Sequence, residues 1–146
     1  MTPAFAPPDQ LQAVQDAVLA MPVARTLKLA FRHIAPGEVE LEIPAAPEFS
    51  FRPGQLQATA IFAVADFAAV AAAGTLLPPG ASNATIDTTL KIVGPAVGVQ
   101  LRGKGRVVRN SKLLSVCASD VYAVDAQGAE TLCATLLATA RNIAPA

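Results

Sequence analysis

Asp66 is the only formally charged residue between Arg52 and Asp87, and it stands at the middle of the run from Gln55 to Gly74. That run, Gln-Leu-Gln-Ala-Thr-Ala-Ile-Phe-Ala-Val-Ala-Asp-Phe-Ala-Ala-Val-Ala-Ala-Ala-Gly, reads as a buried helix. An unpaired carboxylate in such surroundings is costly enough that proteins satisfy it, neutralise it or use it. Used, it does general-base or nucleophilic work; otherwise it faces solvent or accepts bonds from backbone amides.

The remaining reactive side chains offer less. Cys117 and Cys133 lie in strand-like segments with no CxxC pair and no Cys/His cluster of zinc spacing, so they read as buried free thiols. His33 is the only histidine, which excludes a multi-histidine metal centre. It ends the run Leu27-Lys-Leu-Ala-Phe-Arg-His33 and falls on the Leu27/Leu29/Phe31 face if that strand alternates. No Gly-x-Ser-x-Gly elbow accompanies it to support a Ser-His-Asp hydrolase. No metal and no cofactor are expected.

These residues must be positioned by a short list of elements. Asp9 can cap a helix to about Met21, with Leu11, Val14, Val18 and Leu19 at helical spacing and Pro22 as its stop. Two strands are predicted over Arg25–Ile34 and Glu38–Ile43, joined at Ala-Pro-Gly37. Pro44–Pro53 reads as a loop, the central helix runs from about Gln55 to Ala73, and Gly74 is its C-terminal stop. Four strands follow, over Ala84–Val93, Val99–Arg109, Leu113–Val124 and Thr131–Arg141. One long helix and consecutive strands with short connections predict an α+β domain, an antiparallel β-sheet wrapped around the helix. Residues 1–24 are expected to form an N-terminal arm and helix, and 25–146 a single domain.

Composition limits the partners. The 146 residues are 53% hydrophobic and only 15% charged, against about 25% charged in an average soluble domain. A substantial subunit interface is therefore expected. Eleven basic and eleven acidic residues cancel, and no Lys/Arg stripe tracks phosphates, which excludes nucleic acid as a partner. The central helix approaches the roughly 20 residues of a membrane span, but its alanine content and central Asp66 argue against one. The opening Met-Thr-Pro-Ala-Phe-Ala-Pro-Pro carries neither a basic n-region nor a continuous apolar h-region. A cytoplasmic location is expected.

The order of elements resembles the hot-dog fold, and the motifs resemble those of the PaaI-type acyl-CoA thioesterases over roughly residues 25–141. That family shows Asn-x-x-Gly-x-x-His-Gly-Gly entering the central helix, an Asp nine residues after the His, then Ser/Thr-x-Asp opening the next strand and Pro-Ala at its end. Here the first stretch is Phe51-Arg-Pro-Gly54-Gln-Leu-Gln57-Ala58-Thr59, and Asp66 keeps the offset. Thr85-Ile-Asp87 and Pro95-Ala96 follow the second motif, and residues 107–116 resemble the family's next hairpin. The chain departs from the pattern at Phe51, Gln57, Ala58 and Thr59, which replace the Asn, the His and the paired glycines.

The resemblance implies hydrolysis of a small or medium acyl- or aryl-CoA thioester, with Asp66 as general base or nucleophile. Amides of Ala58 and Thr59, at the positive end of the helix, would form an oxyanion hole. Thr85 would hold the water or orient the carboxylate, or else be an ordinary strand threonine. Gln57 would supply an amide hydrogen bond in place of the His, or bond to backbone. Phe51, Gly54, Phe62 and Phe67 would line a substrate pocket or belong to the core, and Arg109 and Lys112 would meet coenzyme A phosphates or remain solvated. Gln57 and Asp66 are separated by about 13 Å of helix rise and two and a half turns. If they cooperate, the site is shared between subunits of a homodimer or dimer of dimers. The alternative is a hot-dog protein that binds acyl-CoA or another acyl ligand without hydrolysing it.

Overall fold

The computed structural model describes residues 8–146. Residues 1–7, and with them part of the expected N-terminal arm and the targeting signature sought there, lie outside the described residues. Helix α1 spans Pro8–Leu19. Pro22 does more than stop it: Met21 is extended and Pro22 opens a second helix, α2, over Pro22–Leu27, because a fixed φ and a missing N–H suit the first helical turn. Lys28, at φ 57°, closes α2, its N–H reaching the carbonyls of Ala24 and Arg25.

This corrects the strand expected from Arg25. Leu27 and Leu29 are both buried and two apart, which imitates alternation. The left-handed turn at Lys28 between them produces the same pattern, and strand β1 spans only Ala30–Ala35. His33 is corrected as well. The β1–β2 register shifts between Phe31 and His33, so the histidine leaves the Phe31 face; its side chain is 53% exposed, 3.5 Å from Glu38.

Strand β2 spans Glu38–Pro44. The predicted loop contains a 3-10 turn over Pro47–Phe49 and strand β3, Ser50–Arg52, whose hairpin partner β4, Gln55–Leu56, takes the first residues expected to be helical. The central helix α3 spans Ala58–Gly74. Then come β5, Ser82–Ile92; β6, Gln100–Asn110; β7, Leu114–Val124; and β8, Glu130–Ile143. The main sheet has the order β1-β2-β6-β7-β8-β5, antiparallel throughout.

Small residues let the helix lie close on the sheet. Ala60, Val64, Ala65, Ala68, Ala69 and Ala72 are buried on α3, opposite Gly103 and Gly105 of β6. A Cβ on Gly103 would come within 2.8 Å of Val64, and one on Gly105 would strike the carbonyl of Ala68. The Ser119 hydroxyl of β7 donates to the Ala65 carbonyl over 2.7 Å, fixing the helix just before Asp66. Gly74 is the last helical residue rather than a left-handed stop. The end is made by Thr75, whose hydroxyl donates to Ala72 O and accepts from the Gly37 N–H.

Candidate active site

Asp66 occupies the face of α3 turned away from Gly103 and Gly105. It shares that face with Thr59, Phe62, Ala63 and Val70, at the spacing that lines one side of a helix. Along them runs a cavity of about 710 Å³, closed on one side by α1 and on the other by the start of β5. Thr59, Phe62, Asp66, Phe67 and Thr85 all line it, so five of the residues singled out from sequence meet in one space.

The Thr85 hydroxyl donates to Asp66 Oδ1 over 2.9 Å. Burial raises the Asp66 carboxyl above its ordinary value, and the Thr85 hydrogen bond opposes part of that rise. The pair therefore forms a half-buried carboxylate with one oxygen anchored, on the wall of an apolar cavity. Cys117 lies near enough for the charge of Asp66 to act on it: its thiol is pushed up to about 11, mainly by burial and further by Asp66. Cys133 is likewise pushed up to about 11 by burial. Thiols in that state carry little nucleophile at neutral pH, in keeping with their reading as buried free cysteines.

The helix entrance is more occupied than the sequence suggested. Gln57 is the N-cap of α3, and its Oε1 accepts the Thr59 N–H over 2.6 Å. The Thr59 amide is thus already bonded in this conformation, which corrects the expectation that it stands open for an oxyanion. The Ala58 N–H has no hydrogen-bond partner among the described residues. Gln57 lines a second cavity of about 390 Å³ between α2 and the 3-10 turn, which shares Val23, Thr59 and Ala63 with the first.

Other candidates lie apart. Phe51 and Gly54 belong to the β3–β4 hairpin and line a third cavity of about 530 Å³; Phe51 is 58% exposed, with the Arg52 guanidinium 5.2 Å from its ring centre. Arg109 and Lys112 flank the β6–β7 turn and line none of these three cavities. Among the described residues, no three His, Cys, Asp or Glu side chains gather to hold a metal ion. Missed from the sequence was the wall made by Ala13, Val14 and Ala17 of α1 with Met21 at the α1–α2 junction. The amphipathic pattern of α1 was readable, but which stripe would stand across from Asp66 is set by tertiary docking.

A thioesterase family protein from Silicibacter pomeroyi superposes on this chain with a TM-score of 0.86 at 30% identity, covering 90% of this chain and 96% of the other. The chain belongs to the hot-dog thioesterase superfamily. A thioesterase-related, phenylacetic acid degradation-related protein from Ralstonia eutropha matches this superfamily member with a TM-score of 0.75 at 25% identity, covering 89% of it and 96% of the other chain. The PaaI protein of the phenylacetic acid degradation operon of Escherichia coli shares its fold, with a TM-score of 0.79 at 15% identity over 92% of this chain and 93% of that one. No protein-family profile and no curated protein matches the sequence. The sheet wrapped on a long helix is thus the hot-dog fold, and Asp66 of that helix lines the cavity of about 710 Å³.

Proposed function

We propose that this chain hydrolyses a small or medium acyl-CoA thioester, with Asp66 as the group that activates water or attacks the carbonyl. The observation carrying this reading is the Asp66–Thr85 pair at 2.9 Å on the wall of an apolar cavity. A carboxylate raised by burial is a better base than one in water, and the Thr85 hydrogen bond favours its charged form.

In the general-base route, Asp66 takes a proton from water as the water oxygen bonds to the thioester carbonyl carbon. The oxyanion so formed is held by a backbone N–H at a helix start. Its collapse breaks the C–S bond, releasing the acid and the thiol, which receives the proton. In the nucleophilic route the carboxylate itself bonds to the carbonyl carbon, the C–S bond breaks to expel the thiolate and leave a mixed anhydride, and water then cleaves that anhydride to the acid and the regenerated carboxylate, its proton passing to the thiolate.

The free amide for the oxyanion is that of Ala58, eight residues from Asp66 and therefore about 12 Å along the helix. One chain does not span that gap around a single carbonyl, so the site is completed by the helix start of a second copy. Strand β5, which carries Thr85, supports this arrangement: it is an edge of the main sheet, and Ile86 and Ile92 on it are exposed.

A second reading, acyl-ligand binding without turnover, is favoured by the helix entrance. Gln57 replaces a titratable residue, and its capping bond takes the Thr59 amide. Steady-state hydrolysis of short, medium and aryl acyl-CoAs by the parent and Asp66→Asn separates the two. Thioesterase action predicts parental turnover that falls by about 10²–10⁴-fold in a folded variant of unchanged oligomeric state. Absent turnover together with measurable acyl-CoA binding would select the second reading.

A further inference from the structure

The cavity beside Asp66 extends well past the carboxylate. At its far end α1 and α3 meet: Gln10 Nε2 donates to the Gly74 carbonyl over 3.4 Å, and a Cβ on Gly74 would lie 3.7 Å from the methyls of Val14. From that end, which Leu77, Gly80 and Ala81 also border, the space runs past Ala13 and Ala17 of α1 and Met21 at the α1–α2 junction on one side, and past Val70 and Phe67 of α3 on the other, to Asp66 and then Phe62. Two amide side chains that border it are turned to backbone, Gln10 to Gly74 O and Asn83 to Val70 O over 3.0 Å. Between Asp66 and the Gly74 end the walls are therefore mainly apolar.

We infer that this channel holds a straight acyl chain, with the thioester carbonyl at Asp66 and the chain end at Gly74, and that Ala13 and Ala17 of α1 set the length and width it accepts. The inference rests on the thioester reading above for its polarity, the carbonyl being placed where the carboxylate is. Its length follows from the helix: eight residues from Asp66 to Gly74 give about 12 Å of rise. At roughly 1.3 Å of advance per carbon–carbon bond, from bonds near 1.5 Å at tetrahedral angles, that is the reach of about nine carbons. An aryl group ends far short of Gly74 and leaves apolar wall uncovered. A bulky side chain at Ala17 blocks the channel midway, and one at Ala13, a turn nearer Gly74, shortens it.

The test uses non-hydrolysable S-alkyl-CoA thioethers of four to ten carbons, and the S-benzyl analogue, binding to the full chain in calorimetry. In the parent, affinity should rise roughly fourfold per methylene until the channel is full, with the benzyl compound below the octyl. Ala17→Phe should flatten the series from its shortest members and Ala13→Phe only at its long end. Gln12→Phe, on α1 but outside the cavity lining, should keep the parental slope.

A parental series without chain-length dependence, or one whose slope survives in both alanine variants, overturns the channel. A normal slope in a protein that hydrolyses none of the corresponding thioesters sinks the catalytic reading alone and leaves the channel standing.

Discussion

At the scale of single residues, the balance at Asp66 has a measurable consequence. Burial raises its carboxyl above the ordinary value of 3.8, and the Thr85 hydroxyl pulls it part of the way back. In the proposed reaction the reactive form is the carboxylate, so kcat/KM should climb with pH as Asp66 loses its proton, along a limb lying above 3.8. Thr85→Val removes the downward influence and leaves the burial, which moves that limb to higher pH and lowers activity most on its acid side. Thr85→Ser keeps a hydroxyl at the same place and should restore the parental profile. A threonine that merely fills the strand would leave the limb unmoved when changed to valine, so a pH–rate series on the three proteins decides the matter. Asp66 was conspicuous in the sequence because charge is scarce around it. Thr85 was visible only through its motif, since nothing local tells one strand threonine from another. Its partner lies 19 positions away.

At the scale of elements, the start of α3 is where chemistry and folding compete for the same amides. Gln57 spends its carbonyl on the Thr59 N–H, leaving the Ala58 amide as the donor that the proposed reaction needs for its oxyanion. Ala58→Pro removes that single N–H at a position where proline suits a helix, and Gln57 is already extended, at φ −84° and ψ 154°, as a residue preceding proline must be. The expected result is a fall in kcat of about 10²–10³-fold with thermal stability changed by less than about 1 kcal/mol. An undiminished kcat would show that the oxyanion is held elsewhere. Most of this scale was legible in the sequence: four strands after the helix emerged within two residues of their expected starts, because apolar alternation and turn residues agree there. Legibility failed between Met21 and Ala30. Pro22 could end one helix or begin another, and Leu27 and Leu29 mimicked a strand across the Lys28 turn. The cap at Gln57 was equally hidden, because glutamine is not a usual N-cap residue.

At the scale of the whole molecule, one copy looks unfinished. Its surface is short of charge, at 15% of residues, and the eleven-residue strand β5 is an open edge of the main sheet. Such edges pair with another chain unless they are covered or charged. A two-fold pairing through β5 would carry each Asp66–Thr85 pair toward the partner's half of the assembly, where the missing helix start can reach it. Residue spacing called for this sharing if the two helix positions cooperate, while only the sheet order showed that β5, which carries Thr85, lies at an edge. Mixing two crippled variants tests the arrangement directly. Asp66→Asn and Ala58→Pro each damage both sites of a homodimer, but a mixed dimer combines both defects in one site and leaves the other intact. After equal amounts are unfolded and refolded together, about half the dimers are mixed and the preparation should regain about a quarter of parental activity. Light scattering should give twice the chain mass throughout. If Asp66 and Ala58 instead served one carbonyl within a single chain, every chain in the mixture would keep its own defect, and co-refolding would restore nothing.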